Sequence, residues 1–273
     1  MTAAKQQIDV VRVQGARRAN DVDCAVVEEP LEIRLHGRPF AVVMRTPGAD
    51  RALTAGFLLS EQVITGFDDL GTIEHCTDAD AGGTPAANVV NVSLVMPSRA
   101  EQALAERRQT TTNASCGMCG RRTIESLATQ VAPLTSAFTT TGDVLTSLPD
   151  RLRGAQSVFD ETGGLHAAGL FDADGRLLDA AEDVGRHNAV DKVVGRRLLV
   201  DELPLDRRIL FVSGRTSFEI VQKALLAGIP IVASVSAPSS LAIDLASDMG
   251  VTLAGFVRGG TFNIYAHAER ILP

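Results

Sequence analysis

Tryptophan is absent from this chain, and aromatic residues make up only 4% of its 273 residues. Proteins that bind single-stranded nucleic acid use aromatic side chains as stacking platforms, so this composition argues against that class. The formal net charge of -7 argues against a nucleic-acid-binding surface as the main feature, and it leaves room for a local basic pocket. No nucleic-acid partner is therefore expected.

Long apolar runs are also lacking. The longest, residues 224–237, is interrupted by Gly228 and Pro230, whereas a membrane-spanning helix needs about 20 apolar residues. The first twenty residues do not contain the apolar block of roughly 7–15 residues that a signal peptide carries. Cysteine is scarce, and only two of the four cysteines are closely spaced, which favours a reducing compartment. We therefore predict a soluble, cytoplasmic protein without a membrane span.

The two closely spaced cysteines, Cys116 and Cys119, lie in the polar stretch TTTNASCGMCGRR at 110–122. Glycines interleave the cysteines and a Thr/Asn/Ser run precedes them, which is typical of an exposed loop. Arg121 and Arg122 follow at once, and neighbouring guanidinium groups favour the thiolate, the reactive form of cysteine. The stretch therefore predicts reactive thiols on an accessible segment.

Three uses of this Cys-x-x-Cys pair are compatible with its spacing. A structural zinc site needs two more ligands, and the other cysteines, Cys24 and Cys76, are isolated in the sequence. A thioredoxin-like redox pair normally follows a strand in a βαβ unit, whereas residues 100–109 have a helical pattern. A sulfur carrier with a persulfide on one cysteine is the third use. The spacing alone does not choose among the three.

The chain divides into three predicted segments. Residues 1–27 show no periodicity and are expected to be loosely ordered. Residues 28–135 contain a hairpin, a helix, a strand and a second helix before the Cys-x-x-Cys loop, which predicts a small α+β domain; residues 67–87 within it are expected to form a loop. Residues 136–273 alternate strands and helices after a hairpin closed by Asp-Ala-Asp-Gly, which predicts an α/β domain with a mixed, largely parallel sheet.

Polar residues cluster at four junctions between elements of the last segment. The clusters are 162–166, which ends in His166; 182–192, with Arg186, His187 and Asn188; 213–217, with Ser213, Gly214, Arg215 and Ser217; and 236–240. A glycine-containing turn with an arginine at a helix N-terminus is a ready anion site. In open parallel sheets, ligands bind outside the carboxyl ends of the strands. Capped turns would explain each cluster alone, but together they predict a site for an anionic, phosphorylated ligand.

Spacing within these clusters predicts three side-chain roles. His187 and Asp191 are four residues apart and share a helix face, so Asp191 is expected to fix the imidazole tautomer. Asp183 is expected to cap the N-terminus of the same helix. Thr216 and Glu219 are spaced as a capping box for the next helix.

The order helix–strand–strand–helix–strand–helix is similar to the cytidine-deaminase-like fold. Zinc deaminases carry His-x-Glu on the helix after the hairpin and Pro-Cys-x-x-Cys at the next helix. Here His187-Asn188-Ala189 stands at the first position and residues 213–217 stand at the second. The general acid/base Glu is replaced by Ala189, and the metal cysteines are absent. We predict a three-layer cytidine-deaminase-like core without deaminase chemistry and without a structural metal.

Five motifs together resemble the FdhD family of formate dehydrogenase accessory sulfurtransferases. They are CGMCG at 116–120, TGGLHAA at 162–168, EDVGRHNAVDK at 182–192, SGRTS at 213–217 and GFVRG at 255–259. The resemblance extends from about residue 28 to the C-terminus. It implies a sulfur carrier that a cysteine desulfurase loads with a persulfide. It also implies transfer of that sulfur to the molybdenum cofactor, bis-molybdopterin guanine dinucleotide, before the cofactor enters formate dehydrogenase.

The resemblance also implies roles for individual residues and a homodimer with a deaminase-like core. Cys116 would carry the persulfide, with Cys119 as its partner. The cofactor site would include Phe256, Val257, Arg258, Gly259, Gly260 and Thr261. The polar clusters would then bind the phosphates and guanine of the cofactor through His166, Arg186, His187, Asn188, Ser213, Gly214, Arg215 and Ser217.

Two other classes of protein stay open at this point. One is a thiol–disulfide oxidoreductase that uses Cys116 and Cys119. The other is a non-catalytic nucleotide-binding module stabilised by zinc.

Overall fold

The computed structural model describes residues 4–76, 86–107 and 131–273. The strands are β1 (Lys5–Gln14), β2 (Arg17–Val26), β3 (Glu29–Leu35), β4 (Arg38–Arg45), β5 (Leu70–His75), β6 (Val89–Leu94), β7 (Thr140–Thr141), β8 (His166–Phe171), β9 (Leu177–Asp183), β10 (Ile209–Val212), β11 (Ile231–Ser234), β12 (Thr252–Arg258), β13 (Thr261–Ala266) and β14 (Ile271–Leu272). The helices are α1 (Asp50–Ser60), α2 (Pro97–Arg107), α3 (Gly142–Arg153), α4 (Ser157–Thr162), α5 (Arg186–Leu198), α6 (Phe218–Leu226) and α7 (Ser240–Asp248). Cys116 and Cys119 lie outside the described residues.

Residues 5–26 form a long antiparallel hairpin, where the sequence predicted a loosely ordered segment. Lys5 pairs with Val26 and Gln14 with Arg17, and Gly15 at the turn has a φ of 62°. Most side chains on both faces of the hairpin are exposed. The hairpin therefore lacks the one-sided apolar pattern by which strands are recognised in a sequence.

The first half of the chain also contains a four-stranded sheet in the order β4-β3-β6-β5. Strands β3 and β6 are parallel, and the other two pairings are antiparallel. The predicted hairpin, helix, strand and second helix are all present. Strand β5 lies in the segment predicted to be a loop. It is an edge strand in which Ile73 is the one buried residue, so its sequence carries no apolar alternation.

The second half is built on a six-stranded sheet in the order β13-β12-β11-β10-β8-β9. Strands β10, β11 and β12 are parallel to one another, and β8 is antiparallel to both β10 and β9. Strand β13 is antiparallel to β12. The sheet is therefore mixed, as predicted, but it is not largely parallel, because only the β10–β11 and β11–β12 pairings are parallel. A hairpin forms each edge and supplies the antiparallel pairings.

Helices cover both faces of this sheet. Helices α5, α6 and α7 cover one face, and their apolar side chains share a continuous core with α1 and the four-stranded sheet. Helix α3 covers the opposite face through Leu145, Leu148 and Leu152, which pack with Phe171 and Phe211. Helix α3 continues through Pro149.

The two halves of the chain meet where α1 crosses α5. A Cβ atom at Gly56 would lie 2.1 Å from the carbonyl oxygen of Asp191, so the two helix backbones are in direct contact. A buried ion pair supports the crossing: Lys223 Nζ lies 2.7 Å from Asp191 Oδ1 and donates to Ser60 Oγ at 2.9 Å. Burial raises the pKa of Asp191 to about 6, although the charges of Lys223 and His187 lower it. This pair joins α1, α5 and α6.

Among the residues that the structure describes, no helix combines the length and apolar character that a membrane span requires.

Candidate functional site

The polar clusters of the second half meet at one edge of the six-stranded sheet. Strands β9, β10, β11 and β12 point in the same direction, so their carboxyl ends lie at one edge. Strand β8 runs the other way, and its first residue, His166, lies at that edge too. The residues that follow β10 and β11 and the β12–β13 turn complete the same edge, which is the usual ligand position in sheets of this type.

Hydrogen bonds between neighbouring turns hold this edge together. Ser213 Oγ accepts a hydrogen bond from Ala167 N at 2.8 Å, and Ser213 N donates to Ala167 O at 2.9 Å. Thr216 N donates to the carbonyl oxygen of Ala237 at 3.2 Å, and Phe256 N donates to that of Ser236 at 3.1 Å. The β10–α6 turn, the β11–α7 turn and the end of β12 therefore form a connected surface.

Gly214 lies between two predicted ligand-binding side chains. A Cβ atom at this position would lie 3.3 Å from His166 Nδ1 and 3.5 Å from Arg186 Cδ. Glycine therefore lets the imidazole and the arginine approach the backbone of the β10–α6 turn.

Positive charge concentrates around His166, which is half-buried. Burial lowers the pKa of His166, and the neighbouring charges of Arg186, His187 and Arg215 lower it further, while Asp183 opposes them. The His166 imidazole is therefore neutral at pH 7, beside two arginines. An anion placed here would relieve the repulsion among these groups.

Unsatisfied donors also mark this edge. The Nε of Arg186 is buried and has no hydrogen-bond partner in the described part of the chain. Helices α5 and α6 begin after Gly185 and Ser217, and neither of these residues makes a side-chain cap. Uncapped N-termini leave N–H groups free for an anion. The arrangement suits phosphate oxygens.

The partner of His187 differs from the predicted one. Its Nε2 lies 2.6 Å from Glu219 Oε2 and 3.1 Å from Ser217 Oγ, on α6 and its N-cap. Asp191 pairs with Lys223 instead, because a buried carboxylate needs a full opposite charge, which another helix supplies.

The predicted capping box of α6 is also wrong. The N-cap is Ser217, one residue later than expected, and Glu219 is committed to His187. The hydroxyl of Thr216 is buried and has no hydrogen-bond partner among the described residues.

Asp183 organises the start of α5 without being its cap. Its carboxylate is fully buried and accepts hydrogen bonds from Gly185 N at 2.8 Å and Asn188 Nδ2 at 2.9 Å. Lys192 Nζ lies 2.7 Å from the other oxygen, which also accepts from Thr46 N at 3.2 Å. The predicted cap is displaced because Gly185 occupies the N-cap position.

The side-chain nitrogen of Asn188 is engaged beneath the site. It donates to Asp183 and, at 2.8 Å, to the carbonyl oxygen of Met44 in β4. Asn188 therefore ties the four-stranded sheet to α5, a contact that its position in the sequence did not reveal.

The β12–β13 turn carries the last group of predicted ligand residues. Gly259 and Gly260 have φ angles of 56° and 77°, and Phe256 also has a positive φ of 55°. The Arg258 guanidinium lies 5.5 Å from the centroid of the Phe256 ring, within cation–π range. Thr261 Oγ1 donates to the carbonyl oxygen of Arg258 at 3.1 Å.

Val257 stands apart from its neighbours in this turn. It is fully buried in the core between the sheet and α3. Its side chain therefore does not line the site, although the resemblance had placed Val257 there.

A cavity of about 600 Å³ opens at the same edge, on the α3 side of the sheet. His166 and Ser213 line it, as do side chains from α3 and α4 that the sequence did not single out. No motif marks these helices, because their pattern is that of ordinary amphipathic helices.

Metal-binding residues do not cluster in the described part of the chain. No group of three or more His, Cys, Asp or Glu side chains there is placed to hold a metal ion. Cys24 and Cys76 are free, half-buried thiols.

Comparison with known proteins gives a consistent result. The profile of the FdhD/NarQ family matches residues 26–272. The sulfur carrier protein FdhD of Streptomyces coelicolor is 51% identical over 265 residues, covering 96% of this chain and 94% of the relative. The sulfur carrier protein FdhD of Saccharolobus solfataricus is 45% identical over 269 residues, covering 97% and 98%.

A solved structure shares the fold. The crystal structure of a protein described as a formate dehydrogenase accessory protein, from Desulfotalea psychrophila, matches with a TM-score of 0.78 and 26% identity. The match covers 99% of this chain and 100% of that one. The similarity of sequence and of structure therefore extends over nearly the whole chain, which belongs to the FdhD/NarQ family.

Proposed function

We propose that this protein is a sulfur carrier required for formate dehydrogenase activity. The observation that carries the proposal is the near full-length similarity to relatives named sulfur carrier protein FdhD, at about 50% identity. The solved relative described as a formate dehydrogenase accessory protein supports the same role. The Cys-x-x-Cys motif supplies the chemistry that such a carrier needs.

Cys116 is the residue proposed to carry the persulfide, with Cys119 as its partner. The Cys116 thiolate attacks the outer sulfur of a persulfide on a cysteine desulfurase. A new S–S bond forms on Cys116, the bond in the donor breaks, and the donor cysteine leaves as a thiolate. The step needs no external oxidant. Arg121 and Arg122 beside the motif favour the attacking thiolate.

The proposed acceptor is the molybdenum cofactor, as bis-molybdopterin guanine dinucleotide, bound at the carboxyl edge of the six-stranded sheet. The residues present fit a phosphorylated substrate. Arg186 has a buried donor without a partner among the described residues, helices α5 and α6 have no side-chain cap at their N-termini, and Gly214 leaves space beside His166. Arg215 and Arg258 are exposed at the same edge and can add charge-assisted hydrogen bonds.

A cytidine-deaminase-like fold of the core is part of the proposal. The order β9-β8-β10-β11-β12, with β8 antiparallel to its neighbours, supports it. Ala189 is fully buried at the position of the deaminase general acid/base, which supports a binding role in place of deamination. We propose in addition a cytoplasmic homodimer that interacts with a cysteine desulfurase and formate dehydrogenase, as the family resemblance implies.

Complementation tests this function. Cells that lack their own carrier should recover formate dehydrogenase activity with the wild-type chain and remain inactive with Cys116→Ala. Cys24→Ala and Cys76→Ala are matched controls, and both should restore activity. Full recovery with Cys116→Ala would refute the proposal.

A further inference from the structure

The hairpin of β1 and β2, residues 5–26, is an arm that is covered only at its base. There Lys5 forms an ion pair with Glu161 of α4, and a Cβ atom at Gly164 would lie 3.1 Å from Val26 Cγ1. Nearer the turn, every residue from 11 to 23 is exposed. A two-stranded hairpin is at best marginally stable in water unless another layer packs on it. The distal part of the arm lacks the layer that α4 gives to its base.

The face of the arm that packs on α4 continues towards the turn as a strip of exposed valines. Residues directly opposite each other in antiparallel strands share a face, and so do alternate residues along a strand. The register of the hairpin therefore places Val11, Val13 and Val22 on the same face as Lys5 and Val26. The three valines are 59%, 59% and 52% exposed, which makes them the most exposed large apolar residues of the arm. We call these three residues the valine strip.

One charge of each sign flanks the valine strip. Arg18 lies opposite Val13 at the end nearer the turn, and Asp9 lies opposite Val22 at the other end. Their positions differ by four residues along the hairpin, or about 14 Å, so they are too far apart to pair with each other. Both side chains are exposed. The strip therefore carries a separated positive and negative charge.

This arrangement is complementary to itself. A second copy turned by 180° about an axis through the middle of the strip brings valines onto valines. The same rotation places Arg18 of each copy over the partner's Asp9, so two ion pairs form across the axis, as the symmetry of an isologous contact requires. Packed sheets lie about 10 Å apart, a gap that an arginine and an aspartate side chain bridge together.

We propose that the arm is a self-association surface, through which two copies of this chain pack valine strip on valine strip. The pattern of charges selects a second copy, because that partner supplies both opposite charges at the required positions. The inference rests on the homodimer of the proposed function and names the surface that forms it. Residues 5–25 precede the region 26–272 that the family profile matches, so this surface is separate from the candidate site and from the Cys-x-x-Cys motif.

Sedimentation velocity of the purified full-length protein over a range of concentrations tests the surface. Wild-type protein should form dimers. Arg18→Glu and Asp9→Lys, measured separately, should each raise the dimer dissociation constant at least about tenfold, because like charges then face each other twice. Val11→Asp should also weaken the dimer, because it places two carboxylates near the axis.

An equimolar mixture of the two charge variants should restore the dimer. In that heterodimer the introduced glutamate faces the introduced lysine, and the unchanged Arg18 of one chain faces the unchanged Asp9 of the other. Recovery in the mixture also shows that both variants are folded. Arg17→Glu is the matched control: Arg17 is exposed and adjacent to Arg18, so it lies on the opposite face of the arm, and its reversal should leave the dimer intact.

Dimers of unchanged affinity in Arg18→Glu and Asp9→Lys would overturn the arm surface and leave the proposed homodimer standing on another interface. A mixture that stays monomeric, or an equal loss of affinity in Arg17→Glu, would also overturn it. A monomeric wild-type protein would overturn both the surface and the homodimer. Sulfur loading of Cys116 on the same samples is a separate readout, and its failure would count against the carrier function alone.

Discussion

Gly195 of α5 lies so close to Ala52 of α1 that a Cβ atom at Gly195 would be 1.9 Å from the Ala52 carbonyl oxygen. The reciprocal glycine, Gly56, faces the backbone of Asp191 in the same way. Helix α5 also carries Arg186 and His187 at its N-terminus. The helix crossing therefore fixes the position of the candidate site relative to the first half of the chain.

Replacing Gly195 by alanine should destabilise the protein strongly. The added methyl group meets backbone atoms, which cannot rotate away, so the helices must separate. We expect a loss of at least about 3 kcal/mol in the free energy of unfolding, the upper end of overpacking costs. Chemical denaturation measures this. Gly66→Ala is the control, because Gly66 is extended, with a φ of -174°, and has open space around it. Equal stability of the two variants would contradict the close packing.

The charge state of His166 should report on anion binding. Its pKa in the free protein should lie below the ordinary value of 6.5, because of burial and the neighbouring cations. A bound anion stabilises the imidazolium, so pyrophosphate should raise this pKa. By linkage, pyrophosphate affinity should increase as the pH falls from 7 towards 6. NMR titration of the His166 ring with and without pyrophosphate is the measurement, and an unchanged pKa would place the anion elsewhere.

Arg215→Ala should weaken nucleotide binding without unfolding the protein. Arg215 is exposed, and the neighbouring backbone hydrogen bond from Thr216 N to Ala237 O does not depend on its side chain. Each lost charge-assisted contact should cost on the order of 1.5–3 kcal/mol, or about tenfold to a hundredfold in GDP affinity.

Arg207→Ala is a matched control for this change. Arg207 is exposed and precedes β10, at the opposite edge of the sheet, so the same loss of charge should leave GDP affinity nearly unchanged. If both variants weaken binding equally, net charge and not a contact from Arg215 explains the effect.

Much of the second half could be predicted from the sequence. Its central strands and helices are buried on defined faces, so their apolar patterns are strong, and the polar residues at their junctions mark the edge where ligands bind. The His166, Arg186 and Arg215 clusters meet as expected because the direction of each strand determines the edge at which it ends.

The remaining features depend on contacts that spacing does not encode. The hairpin at residues 5–26 has no buried face. Asp191 is four residues from His187, yet it pairs with Lys223 of another helix. The cavity residues Leu152 and Phe159 belong to α3 and α4, whose joint surface exists only after both helices pack on the sheet. The local sequence pattern does not determine these contacts between distant parts of the chain.

The most direct test of the carrier function is mass spectrometry of the purified protein after incubation with a cysteine desulfurase and cysteine. We predict a mass gain of one sulfur atom, about 32 Da, on the peptide that contains Cys116, as thiolate attack on a persulfide requires. Cys116→Ala should show no gain, whereas Cys24→Ala and Cys76→Ala should load like the wild-type protein. Sulfur that loads equally well on Cys116→Ala, or that appears on Cys24 or Cys76 instead, would contradict the sulfur-carrier function proposed for Cys116.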